Sequence, residues 1–316
     1  MFKFKHLFII CISIALLAGA GCKSRYEKIR LSNDVAKKLQ EAMRLYNKKS
    51  YSKALILFED LAQKYRGQQQ AEDLNYYYAY TLYRMYDYTT ARFQFKYFAE
   101  TYPTSRNAEE ARYMAAYCFY LDSPEYSLDQ ENTYKAIDAL QLFMNLYPRS
   151  DRAKLAADYI TILRNKLETK AYDNAKMYYL MGDYDISNYK SAVIALKNAQ
   201  IDYPDIKFAD EMTFLIFKSQ HLYAKNSFVN RQEERYLEGL TYYREFVEAF
   251  PNSKFKKEAD ELKKDAEEGI IAAKKEMAQI ALDTQKFNEL QRKSRQQDSL
   301  NNIKTIKTPV TPVNNG

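Results

Sequence analysis

Four segments of the chain end alike: FAETYPTS (98–105), FMNLYPRS (143–150), AQIDYPDI (199–206) and FVEAFPNS (246–253). Twelve residues before each proline stands a small residue, Ala91, Ala136, Ala192 and Gly239. Ala54 holds the same place in YSKALILFEDLAQKYR, where Arg66 replaces the proline. From the small residue, apolar groups recur four residues on (Phe58, Phe95, Leu140, Leu196, Tyr243) and eleven on (Tyr65, Tyr102, Tyr147, Tyr203, Phe250). That spacing is one face of a helix with a period near 3.6. Each proline stops its helix, because it lacks the N–H that would continue the hydrogen-bond ladder.

Upstream of each such helix lies another with its own small residue, Ala42, Ala79, Ala116, Ala175 and Ser219, followed three later by an apolar one. A small residue on each of two consecutive helices lets their axes approach closely. In the first two units the two small residues are 12 apart and the helix-ending position falls 12 beyond. This pattern resembles the tetratricopeptide helix–turn–helix unit. It predicts an all-α, tetratricopeptide-like solenoid of about five repeats, with insertions near 121–133, 183–188 and 224–235 and one long helix over 153–181. Residues 256–295 carry a narrow apolar seam (Leu262, Ala266, Ile270, Ala273, Met277, Ile280) among charges, which predicts either a helix capping the last repeat or a coiled-coil contact. The polar run 296–316, with Pro309 and Pro312, reads as disordered.

Composition narrows the function. The chain has 316 residues, 30 Tyr and 17 Phe but no Trp, and only 7 Gly and 7 Pro. Gly plus Pro average roughly 12% of residues, so the turn-forming residues of a β-rich fold are missing. No glycine-rich phosphate loop is present. With two histidines, His6 and His221, a zinc site has almost no ligands to draw on. No carboxylate pair, Ser/His/Asp set or Cys/His set stands at a spacing that catalysis requires. No catalytic residue, metal or cofactor is therefore expected, and the protein reads as a non-enzyme.

At the N-terminus, Lys3 and Lys5 precede an apolar run from Leu7 to Ala18. That run is too short to span roughly 30 Å of hydrocarbon and right for an export signal. It ends in Leu16-Leu17-Ala18-Gly19-Ala20-Gly21-Cys22. Small residues ahead of a cysteine resemble the bacterial lipoprotein signal, which would make Cys22 the lipidated first residue of the mature chain. Gly19 departs from the branched apolar residue usual at that place. Each buried lipid CH₂ contributes about 0.8 kcal/mol, so three acyl chains would hold the protein on a membrane almost permanently. Lys23 follows, and the Asp associated with inner-membrane retention is absent, which points to the outer membrane. Removing residues 1–21 takes away two lysines and no acid and leaves a net charge of +5. We read that excess as small and distributed, implying no nucleic-acid partner. Cys118 would be the single remaining thiol, so no internal disulfide can form and packing alone must hold the fold.

Function is expected on the concave face that such repeats present. Positions three before, one after and four after the first small residue of each repeat should face it. They are Leu39, Met43 and Tyr46 in repeat one; Tyr76, Tyr80 and Tyr83 in repeat two; Tyr113, Tyr117 and Tyr120 in repeat three; Tyr172, Lys176 and Tyr179 in repeat four. Tyrosine offers a large ring at low rotamer cost and a hydroxyl for a partner's backbone. Such a row suits an extended, aromatic-containing polypeptide.

A lipoprotein signal followed by repeats with Tyr-Pro-x-Ser endings resembles the BamD family of outer-membrane assembly lipoproteins, over most of residues 22–255. The nearest stretch is KLETKAYDNAKMYYLMGDYDISNYKSAVIALKNAQIDYPD (166–205). The resemblance implies lipid anchoring on the periplasmic face of the outer membrane. It further implies partners: a BamA-like barrel insertase, other assembly-complex subunits, and unfolded outer-membrane β-barrel precursors. Among functional residues it carries over Cys22 alone. The expected organisation is a signal peptide (1–21), a lipidated linker (22–32), repeats one to three (33–148), the joining helix with repeats four and five (149–255), a charged helix (256–295) and the tail (296–316). A repeat lipoprotein that organises cell-wall or division partners is the alternative. Sugar-binding lipoproteins of helical-repeat type stack rings on exposed Trp, which this chain lacks.

Overall fold

The computed structural model describes residues 24–65 and 71–306, with side chains through 299. The signal segment, Cys22 and residues 307–316 lie outside the described residues. Within them the regular elements are all α-helices: α1 (Arg25–Arg30), α2 (Val35–Asn47), α3 (Tyr51–Lys64), α4 (Ala71–Arg84), α5 (Tyr88–Thr101), α6 (Ala108–Leu121), α7 (Glu131–Leu146), α8 (Arg152–Leu180), α9 (Ser187–Asp202), α10 (Ala209–Lys225), α11 (Val229–Ala249) and α12 (Lys256–Ile306). The fold is all-α, built from tetratricopeptide-like helix–turn–helix repeats.

The ten small residues that set the repeat register are all buried: Ala42 with Ala54, Ala79 with Ala91, Ala116 with Ala136, Ala175 with Ala192, and Ser219 with Gly239. Around them the large residues four and seven further along close the core, with Phe58, Leu61, Phe95, Phe98, Leu140, Phe143 and Leu196 almost fully removed from water. Burying each such side chain contributes roughly 1.5–3 kcal/mol.

The repeat-ending motif performs three tasks. Tyr102, Tyr147, Tyr203 and Phe250 each leave the helical region, with φ between −123° and −133°, because the following proline crowds out the α conformation. Each still donates its N–H to the carbonyl four residues back. Three residues on, Ser105, Ser150, Ile206 and Ser253 close a turn onto those same residues at 3.0–3.1 Å. The serine hydroxyls then accept the N–H two positions ahead, at 3.1, 3.2 and 3.0 Å for Asn107, Arg152 and Phe255, and so open the next helix. Ile206 has no hydroxyl and is buried in the core instead.

Packing divides the chain into two compact units that part at Leu167/Glu168, inside α8. The expected division at 148/149 falls before that helix; α8 instead contributes Ala156 and Leu163 to the core of the first unit and Tyr172 and Ala175 to that of the second. In the first unit, the insertion in repeat three is a loop over 122–130. Its carbonyls are bonded by side chains: Gln130 Nε2 donates to Glu125 O and Leu128 O at 2.7 and 2.9 Å, and Lys166 Nζ to Pro124 O at 2.8 Å. Thr133, at the place where other repeats carry an aromatic, is buried and donates to Gln130 Oε1 at 2.7 Å. Thr133 thereby holds in place the Gln130 amide that satisfies the loop carbonyls.

In the second unit, the insertion over 224–235 is largely helical and lengthens α11 at its start. The helix α12 docks through Ala259, Ala266 and Ala273, buried at a spacing of seven. Between them Gly269 receives the ring of Tyr236, whose Cε2 and Cζ lie 2.7 Å from where a β-carbon would be. Asp265 of α12 bonds His221 Nε2 at 2.9 Å and Lys225 Nζ at 2.8 Å, both on α10. Beyond Ala273 every residue through 299 is exposed. The helix continues past residue 295 to Ile306, so the polar run 296–306 is helical and not disordered. It contains no Gly or Pro to stop propagation.

Two outcomes follow for this docking. Gly269→Ala should destabilise the protein by about 1–2 kcal/mol, since overpacking against a buried ring outweighs the roughly 1 kcal/mol that alanine returns in helix propensity. Adding Tyr236→Ala should recover part of that loss, read as non-additivity in urea unfolding. Burial holds the His221 imidazole below its ordinary 6.5, against the opposing pull of Asp265. The unfolded chain therefore takes up this proton first, so stability is full above that value and falls as pH drops through it. His221→Gln should flatten the fall in the pH–stability curve that sets in as pH drops through 6.5.

Candidate interaction surface

Helical spacing alone brings the tyrosines of each repeat together, because residues three and four apart share a face. On α4 the rings of Tyr76 and Tyr80 meet edge to face at 4.9 Å, and Tyr80 meets Tyr83 at 6.2 Å. On α6, Tyr113, Tyr117 and Tyr120 stack in parallel at 5.8 and 5.7 Å. Tyr83 and Tyr117, 6.5 Å apart, join the two rows. The row continues to Tyr46 through Tyr77, with contacts of 5.7 and 5.2 Å. At its other end Tyr159 of α8 lies 4.2 Å from Tyr120.

Tyr77 and Tyr159 were not among the groove positions expected from the sequence. Tyr159 stands three after Ala156, the offset that Leu82 and Phe119 hold in their repeats. That is the packing offset and not one of the three groove offsets, so the register rule passes over Tyr159 even when the first half of α8 is read as one more first-type helix.

Electrostatics fix the hydroxyls. Tyr80 donates to Glu110, which also pairs with Arg152 at 2.5 Å, and the Arg152 guanidinium lies 4.4 Å from the centre of the Tyr113 ring. Burial raises the hydroxyl pKa values of Tyr76, Tyr80, Tyr83 and Tyr117, and pushes Tyr113 up to about 12. These five hydroxyls are thus held neutral, as donors.

The eight tyrosines are not equivalent. Tyr113 is only 3% exposed and Tyr172 6%, so these two serve the core and offer no free ring. Tyr76, Tyr80, Tyr83, Tyr117, Tyr120 and Tyr179 are half-buried, with an edge or face toward solvent. In the second unit, Tyr172 stacks on Phe208 at 4.2 Å and accepts from Lys176 at 2.7 Å, which pairs with Glu211 at 2.7 Å. Tyr179 packs on Tyr189 at 6.2 Å, with Lys218 Nζ 5.7 Å from its ring centre. A continuous row of half-buried rings is therefore a property of the first unit.

The described residues contain no group of His, Cys, Asp and Glu arranged to hold a metal ion. None of their helices is long and apolar enough to cross a membrane. Fold and surface together define a helical-repeat protein with a tyrosine row along its first unit. The sequence matches the outer membrane lipoprotein family designated YfiO over residues 33–221, and the chain belongs to that family. The match ends within α10, so α11 and α12 lie outside it. No curated protein matches the chain.

Cys118 is fully buried in the first core and its thiol is pushed up to about 12, chiefly by burial. Under native conditions it should react with a maleimide at least ~100-fold more slowly than after unfolding in urea, since the thiolate is the reactive form.

Proposed function

We propose that this chain is a non-enzymatic, lipid-anchored scaffold on the periplasmic face of the outer membrane that serves β-barrel assembly. Cys22 carries the anchor. The half-buried tyrosines of the first unit receive unfolded barrel precursors, and the second unit holds a BamA-like insertase. The observation that carries this reading is membership of the outer membrane lipoprotein family over residues 33–221, joined to a row of tyrosine rings with no catalytic set beside it. A ring edge with a neutral hydroxyl can contact an aromatic side chain and donate to a strand's free carbonyl at once. Barrel precursors are extended chains that supply both.

A tagged pull-down from gently solubilised outer membranes, followed by mass spectrometry, tests the assignment. Recovery of a large barrel protein with periplasmic repeat domains, in near-equal amount, is the expected result. Recovery of cell-wall or division proteins in its place would shift the function to the alternative scaffold role and leave the fold unchanged. Tyr80→Ala with Tyr117→Ala should weaken binding of a barrel-terminal peptide about ten-fold or more, equivalent to roughly 1.4 kcal/mol. Circular dichroism should show helicity intact. Unaltered affinity would remove the precursor from this row.

A further inference from the structure

The charge of the protein is not spread along the chain, contrary to the reading from its overall excess. Residues 23–49 hold nine Lys and Arg against three acids, a net of +6. Residues 50–316 hold 37 against 38, a net of −1. The basic excess of the mature chain is thus confined to the stretch that begins beside Cys22.

In the structure this stretch is α1 and α2 with the turn that follows. Between the two helices lies a recess of about 530 Å³, bordered by Arg25 and Ile29 of α1 and by Lys37, Met43, Arg44 and Asn47 of α2. Glu41, the acid at its wall, is buried and already bonded to Arg44 at 2.7 and 2.5 Å. Lys38 is buried and spent on Asp60 at 2.6 Å. Arg30 and Lys37 pair with Glu27 and Asp34, each at 2.9 Å. Arg25, Lys28, Lys48 and Lys49 are exposed and make no side-chain hydrogen bond or ion pair among the described residues, although Arg25 and Lys48 add to the positive field around Glu41. Leu31, directly after α1, is also largely exposed.

Lys49 and its counterpart in repeat two, Tyr86, both take the left-handed conformation, with φ 60° and 65°, because the turn between paired helices requires it. In each turn the next residue closes back onto the helix, Ser50 N–H on Leu45 O at 2.9 Å and Asp87 N–H on Leu82 O at 3.1 Å.

We propose that the α1–α2 face is a docking surface for the anionic phospholipid headgroups of the leaflet in which the chain is anchored. Arg25, Lys28, Lys48 and Lys49 are the contacting cations, and the recess between α1 and α2 receives a headgroup phosphate. The acyl chains already supply affinity, so the patch supplies orientation. A tether at Cys22 by itself leaves the folded chain free to swivel, whereas cations on two helices and a turn fix which side of the first repeat meets the membrane. The basic stretch begins one residue after Cys22, so the linker keeps this face within reach of the headgroups. The inference rests on membrane anchoring and not on which polypeptides the protein serves.

The test uses the mature chain with Cys22→Ser, so that headgroup recognition is read without acyl chains. It should co-sediment with vesicles of 3:1 phosphatidylcholine to phosphatidylglycerol and not with phosphatidylcholine alone, and release at high salt. Each neutralised cation should lower partitioning about five-fold at low salt. Arg25→Gln, Lys28→Gln, Lys48→Gln and Lys49→Gln together should lower it at least ~20-fold, with helicity unchanged. The charge-preserving set Arg25→Lys, Lys28→Arg, Lys48→Arg and Lys49→Arg should bind as the parent does. Equal binding to neutral and anionic vesicles, or undiminished binding of the four-glutamine variant, would overturn the proposal. So would failure to bind anionic vesicles alongside capture of a poly-glutamate peptide, which would give the patch to an acidic polypeptide.

Discussion

Close approach of paired helices at side chains no larger than serine is the constraint on which this protein depends. Every repeat places one such residue on each of its two helices, and all ten are buried. With the backbones drawn together there, the aromatic and branched residues one and two turns away must interlock. Phe58, Phe95, Leu140 and Leu196 sit at the same offset and are all removed from water. Among the described residues Cys118 is a free, buried core thiol, and each unit is held by apolar packing and satisfied backbone. The tyrosine row is a by-product of the same geometry. The positions flanking each small residue on its outer side have nowhere to go but onto one another, and rings of that size meet along and between helices.

The fold was readable because its signals repeat. One helix-ending proline would have said little; four, each twelve residues after a small residue, fix both period and register. The long helix over 152–180 was legible from its apolar spacing, and its bounds differ from expectation by one residue at each end. What could not be read depended on contacts between elements. The division of the chain inside α8 follows from which core each half of that helix enters, and no local pattern records it. The extent of α12 was missed because a polar run with only Leu300, Ile303 and Ile306 in it resembles disorder, although it holds no Gly or Pro and a helix already under way propagates residue by residue.

The candidate surface was legible in outline and wrong in detail at two positions. Spacing from Ala79 and Ala116 placed the right faces of α4 and α6 side by side. It could not show that Tyr113 lies beneath Arg152 and against Phe143, or that Tyr172 is covered by Phe208. Both are buried by residues far along the chain or beyond a turn. The same limit applied to charge. A net value taken over the whole chain concealed that the first 27 residues after Cys22 carry the excess, and that several of those cations are already paired with neighbouring acids.

The shared turn that ends one helix and begins the next has a kinetic consequence. Because Tyr-Pro-x-Ser hands the chain directly from repeat to repeat, as from α5 to α6, and short turns join the helices within a repeat, as from α10 to α11, the strongest contacts are made between helices adjacent in sequence. Low separation between contacting residues lowers the entropic barrier to folding, and repeats of this kind can nucleate independently and then propagate. A chain delivered across a membrane with its N-terminus first can therefore close its first repeat before the last has emerged. Its cationic α1–α2 face would then be assembled while the distal helices are still in transit.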